Sequence, residues 1–159
     1  MKIVVVRHAE KGREGNEASV PISDRGRESA RACGLWLRDQ GVRPFAVAYT
    51  RAVRTKDTAE GILDAFSGMS VQVLDRGSLP VRGEKWEALV VRLAATMSNP
   101  TGDLLLCVHG GGQELAEKAG KPATLVPRNN RCGAYILNVE GGRTTCVGMF
   151  EGWPRRGVE

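Results

Sequence analysis

Apolar residues in this chain fall into short unbroken runs that alternate with stretches of helical spacing. Ile3 to Val6 is wholly apolar and β-branched, the pattern of a strand buried on both faces of a parallel sheet. After a polar loop, Lys11 to Ala18, Ser23 is placed to cap a helix whose stripe is Ala30, Cys33, Gly34 and Leu37, with Gly41 and Pro44 ending it. Phe45 to Tyr49 reads as a second strand, and Ala59, Ile62, Leu63 and Phe66 mark the inward face of a second helix. Val71 to Leu74 predicts a third strand. A loop through Gly77, Pro80 and Gly83 then leads to a helix with Trp86, Leu89, Val90 and Leu93 in register. Leu104 to Val108 is a fourth apolar run, and Gln113 to Ala119 a short helix. Ala134 to Val139 and Thr144 to Phe150 flank Gly141-Gly142 as a hairpin. Trp153 to Glu159 reads as a loose tail. Strands alternating with helices predict a three-layer α/β/α sandwich around a mostly parallel, mixed sheet of about six strands. A chain of 159 residues fits one domain, 1–159.

Composition changes this picture little. The hydrophobic fraction of 42% and charged fraction of 26% are ordinary for a globular domain, and no apolar run is long enough to span a bilayer. A net charge of +5 favours anionic partners without choosing among them. The 23 basic residues are interleaved with 18 acids, and the three Trp, two Tyr and three Phe form no stacking cluster, which argues against nucleic acid. Cys33, Cys107, Cys132 and Cys146 form no C-x-x-C pair and read as free thiols. The apolar run after Met1 is too short for a signal peptide, so a reducing, cytoplasmic location is expected.

The chemistry concentrates at strand ends. The chain has two histidines, and each follows an apolar strand directly: His8 after Val4-Val5-Val6-Arg7, His109 after Leu104 to Val108. In open α/β sheets ligands bind outside the carboxyl ends of the strands, so both point into one cleft if their strands are neighbours. The alternative is a pair of structural imidazoles. Arg7 lies beside His8 and Arg54 opens the second helix, where a guanidinium fork and free N–H groups suit phosphate; otherwise both are solvated charges. The run Gly110-Gly111-Gly112 is a turn, or a place where backbone amides approach an oxyanion closely. No cysteine is followed six positions later by arginine, and no nucleotide-binding glycine motif is present. Two histidines without carboxylates or thiols at ligand spacing do not make a zinc site.

Val6-Arg7-His8-Ala9-Glu10 resembles the Arg-His-Gly/Ala signature of the histidine phosphatase superfamily, which includes the phosphoglycerate mutases. The resemblance extends through Pro21-Ile22-Ser23 to Ser29-Ala30, similar to a Pro-Leu-Thr helix start, and through Thr50 to Ala59, similar to a Ser-Pro-x-x-Arg segment. Val108-His109-Gly110-Gly111 resembles the second-histidine motif. These elements follow the family's order and cover most of the chain. They imply that His8 is the nucleophile, that Arg7, Arg54 and His109 surround the phosphoryl group with Gly110 beside it, and that neither metal nor cofactor is required. Phosphoryl transfer is mainly positioning and charge stabilisation, so fixed cations can serve it, and a neutral imidazole is a sound nucleophile.

Three features depart from the pattern. Ser-Pro is replaced by Thr50-Arg51, which leaves Arg51 either on the phosphate or in solvent. The general acid, in such proteins a carboxylate before the third helix, falls to Glu84, with Glu87 and Asp75 as alternatives. Asn16 lies two positions later than the family's phosphate-contacting asparagine and is a candidate for that role. The compact length resembles phosphohistidine phosphatases of bacteria more than the mutases, which carry inserted segments. The expected activity is metal-independent hydrolysis of a phosphomonoester or phosphoprotein side chain through phospho-His8, with no nucleic acid or membrane partner. A phosphomutase, and a non-catalytic phosphate-binding module of the same fold, are the alternatives. The Lys11 to Ala18 loop is expected to shape specificity.

Overall fold

The computed structural model describes residues 1–74, 79 and 83–154. Its first half runs β1 (Lys2–Arg7), α1 (Asp24–Asp39), β2 (Pro44–Tyr49), α2 (Val53–Leu63) and β3 (Gln72–Val73). There follow α3 (Trp86–Thr96), β4 (Asp103–Val108), α4 (Gly110–Gly120), β5 (Asn130–Arg131), β6 (Ala134–Glu140), β7 (Arg143–Phe150) and β8 (Trp153–Pro154). Six strands form one sheet in the order β3-β2-β4-β1-β6-β7, parallel from β3 to β1 and antiparallel beyond it. This is the phosphoglycerate mutase-like architecture.

Alternation along β1 divides the core into two. Val4 and Val6 face α1 and α2, packing with Ala30, Cys33, Leu37, Ala59 and Ile62. Ile3 and Val5 face α3 and α4, packing with Trp86, Leu89, Leu93 and Ala116. Full burial of each large apolar side chain contributes roughly 1.5–3 kcal/mol, so a strand apolar on both faces is committed to the centre of the sheet. Because α1 leaves β1 to one face and α4 leaves β4 to the other, the chain reverses its winding between these adjacent strands, which opens a crevice at their carboxyl ends.

Local signals explain most boundaries. Ser23 caps α1 as the sequence predicts, its Oγ accepting from the Gly26 N–H at 3.0 Å. Gly26 is required for a second reason: a Cβ there would stand 2.4 Å from the carbonyl oxygen of Glu10, so α1 lies directly against the chain that follows His8. Gly141 and Gly142, with φ of 56° and 77°, form the tight turn of the β6–β7 hairpin.

Four expectations are corrected. The third strand is shorter than Val71 to Leu74: among the described residues Gln72 and Val73 pair with Ala46 and Val47 at this sheet edge. Phe66 lies in a 3-10 turn after α2 rather than in the helix. The fourth helix is longer than Gln113 to Ala119: α4 starts at Gly110, so Gly110-Gly111-Gly112 forms its first turn. Trp153 and Pro154 are not loose tail but β8, paired with Asn130 and Arg131, and the Arg25 guanidinium lies 5.5 Å from the Trp153 ring centroid.

Candidate active site

Parallel pairing of β1 with β4 places Arg7 opposite Val108, so His8 and His109 each stand one residue past the end of adjacent strands. The His8 N–H donates to the Val108 carbonyl at 3.0 Å, and the two rings meet edge to face with centroids 5.4 Å apart. Neighbouring segments hold the backbone here. The Arg7 N–H donates to the Gly133 carbonyl at 3.0 Å, the Cys132 N–H to the His8 carbonyl at 3.3 Å, and the Ala9 N–H to Thr58 Oγ1 at 2.8 Å.

The hydrogen bonds fix both imidazole tautomers. His8 is buried, with its Nδ1 2.8 Å from the Ala9 carbonyl oxygen. A carbonyl only accepts, so Nδ1 carries the proton and Nε2 the lone pair. Burial pushes the His8 pKa down to about 3, with the charges of Arg54 and Arg131 and the His109 ring acting in the same direction and the Ala9 bond opposing them. At His109, Nδ1 lies 3.4 Å from Arg54 Nη2, which only donates, so the proton sits on Nε2 and points at Thr50 Oγ1, 3.2 Å away. Burial first, then Arg54, lowers the His109 pKa as well, while Glu17 opposes the shift. Both rings are therefore neutral near pH 7. An NMR titration of the imidazole protons should find His8 still neutral at about pH 5.5, where an ordinary histidine of pKa about 6.5 is mostly protonated. A His8 midpoint at or above the ordinary value would refute this electrostatic reading.

Two arginines complete the centre. Arg54, in the first turn of α2, is buried, and its Nη1 donates to the Glu17 carbonyl oxygen while its Nη2 lies 3.0 Å from Glu17 Oε1. Arg7 ends β1 and donates through Nη1 to the Arg128 carbonyl. The Nε atoms of both guanidiniums are buried without a hydrogen-bond partner among the described residues, leaving two N–H donors for an anion to satisfy. Gly110 stands beside Arg7: a Cβ at this position would be 3.9 Å from the guanidinium.

His8, His109 and Arg54 are therefore in one cluster, with Arg7 and Gly110 paired beside it at the same end of the sheet, and the other candidates stand elsewhere. Glu84 receives Arg92 on both carboxylate oxygens, at 2.7 and 2.8 Å, in an ion pair at the start of α3. Glu87 is exposed, and Asp75 lies outside the described residues. Asn16 turns its Oδ1 back on the loop, accepting from the Ala18 and Ser19 N–H groups at 3.1 and 3.0 Å. Arg51 is exposed. Sequence reasoning missed three participants. Thr50 orients His109 and is anchored by Thr55 Oγ1 at 2.9 Å; its place directly after β2 was the available signal. Glu17 covers Arg54. Arg131 depresses the His8 pKa from a two-residue strand too short to show any periodicity. A cleft of about 680 Å³ between the 10–20 loop and Arg131 is lined also by Lys11, Arg13 and Ser23. Among the described residues no group of three or more His, Cys, Asp or Glu is gathered as metal ligands, and no helix is long and apolar enough to cross a membrane.

Paired histidines and arginines at the switch point of the sheet form a cationic centre suited to an anion, and the chain has relatives among known proteins. Residues 3–78 match the model of the histidine phosphatase superfamily, branch 1, so the resemblance carried by the motifs is borne out. No curated protein sequence matches the chain. Among solved structures, the protein histidine phosphatase SixA complexed with tungstate superposes with a TM-score of 0.72 at 19% identity, over 94% of this chain and 96% of that one. A mycobacterial glucosyl-3-phosphoglycerate phosphatase superposes with a TM-score of 0.60 at 17% identity, over 92% of this chain and 96% of its own. At such identities the likeness is one of fold.

Proposed function

We propose that this protein is a phosphatase that works through a phosphohistidine on His8 and acts best on phosphohistidine or similarly activated phosphoryl groups. The observation that carries the reading is the bond from His8 Nδ1 to the Ala9 carbonyl, which leaves Nε2 as a neutral nucleophile in a ring packed on His109 and within the field of Arg54. The Nε2 lone pair bonds to phosphorus as the bond to the leaving atom breaks, and that atom departs with the electron pair. The Ala9 carbonyl then faces the positive ring it stabilises, much as a carboxylate does in a hydrolase triad. Water next adds its oxygen to phosphorus, the P–N electrons return to Nε2, and inorganic phosphate leaves. Arg7 and Arg54 supply the charge and donors for the phosphoryl oxygens, and His109, its Nε2–H held by Thr50, keeps the Arg54 guanidinium in line through Nδ1.

The leaving group follows from the position of the acids. Glu84 is occupied by Arg92, and Glu17, paired with Arg54, has its pKa lowered by the hydrogen bond from Lys11 first and then by the charges of Arg54 and Lys11. A leaving imidazole, with a ring pKa of about 6.5, needs far less protonation than an alkoxide derived from an alcohol with a pKa near that of water, about 15.7. SixA, which shares the fold, is described as a protein histidine phosphatase, and this supports the same choice. Rates on a phosphohistidine peptide, an aryl phosphate and an alkyl phosphate, in excess EDTA, test the reading. The first two should exceed the third by roughly a hundredfold or more, the scale of missing general-acid assistance. Equal rates on aryl and alkyl esters, or loss of all activity in EDTA, would sink it.

A further inference from the structure

Arg54 is already occupied by an anion that the chain itself supplies. Glu17 Oε1 lies 3.0 Å from Arg54 Nη2, and the neighbouring Nε of the same guanidinium is buried without a partner among the described residues. A carboxylate in this position uses half of the fork. A phosphoryl group arriving at Nη2 and Nε would use both, satisfying a donor that Glu17 leaves orphaned.

The loop is built so that the side chain can leave while its backbone stays. The Gly12 N–H donates to the Pro21 carbonyl at 2.8 Å, the Val53 N–H to the Ala18 carbonyl at 3.0 Å, and Asn16 closes the turn between them. The Glu17 side chain is 73% exposed, so rotating it away breaks no core packing. A receiving cation is in place, because Lys11 Nζ already holds Glu17 Oε2 at 3.1 Å, and Lys11 and Glu17 both line the open cleft.

We propose that Glu17 is a built-in competitor for the phosphoryl group on Arg54: binding exchanges one anion for another, and the returning carboxylate promotes release of product phosphate. The proposal rests on the phosphatase reading for its role in turnover, but anion binding alone tests it. Glu17 keeps Arg54 neutralised and aligned with His109 when no phosphate is bound, and it sets the affinity for phosphate without touching the reacting atoms.

Titration calorimetry with inorganic phosphate on the intact protein is the test, comparing wild type with Glu17→Gln and Lys11→Ala. Glu17→Gln should bind phosphate roughly two- to fivefold more tightly, the scale of an ion pair with one exposed partner, and lower KM in parallel. Lys11→Ala should weaken binding, and less so when Glu17 is already Gln, because the two residues are coupled. A gain in affinity cannot come from damage to the fold. Unchanged or weaker binding in Glu17→Gln, or no binding in either protein, would overturn the proposal, as would a kcat loss confined to alkyl phosphates, which would make Glu17 the proton donor. Absence of His8-dependent hydrolysis would refute the phosphatase reading instead, leaving the binding comparison to stand by itself.

Discussion

Replacing His8 by alanine is expected to lower turnover by at least about a thousandfold while phosphate binding survives, because the substitution removes the atom that forms the intermediate. No neighbour can take over. His109 Nδ1 is turned to Arg54 and its Nε2 carries a proton, so neither nitrogen offers a free lone pair to phosphorus. The anion-binding donors of Arg7 and Arg54 are independent of the His8 ring, so phosphate should still bind. Steady-state kinetics and phosphate titration on the same preparation check both halves. Retained turnover with normal folding would remove His8 from the mechanism.

Arg54→Lys should reduce kcat/KM by about a hundredfold or more, although the charge is kept. The guanidinium does three things that one ammonium cannot. It donates to the Glu17 carbonyl, holds the Glu17 carboxylate, and donates to His109 Nδ1, with Nε left for substrate. Loss of the contact to Nδ1 should also free His109 to change tautomer, a change visible in its imidazole nitrogen shifts. A Lys variant with near wild-type kcat/KM would mean that only charge matters here, which contradicts a bidentate site.

Much of this was legible in the sequence, and the reasons are physical. Ile3 to Val6 and Leu104 to Val108 are apolar on both faces, which only a central parallel strand explains, and each ends on a histidine. The remaining step, that these two strands are neighbours, depends on pairing and was supplied by the structure. Glu84 could not be judged from spacing, since its partner Arg92 lies two turns into a helix that begins after it, outside the i, i+4 pattern. Asn16 illustrates a different ambiguity: a short amide that suits a phosphate equally suits the N–H groups of its own turn, and here it caps the turn. Glu17, next to it, reads as an ordinary surface charge because its carboxylate is exposed, and only the fold brings it to Arg54. The tail at Trp153 pairs with a strand of two residues, below the length at which alternation can be seen.

The central claim is that phosphorus is bonded to His8 Nε2 during turnover. Rapid quench in alkali after mixing with a labelled phosphohistidine peptide or aryl phosphate, followed by peptide mass spectrometry, tests it most directly. The account predicts an acid-labile, alkali-stable phosphoramidate on the peptide that contains His8, formed within the first turnover and absent from His8→Ala. Label on any other residue, or full turnover with no phosphoenzyme at any quench time, would contradict it.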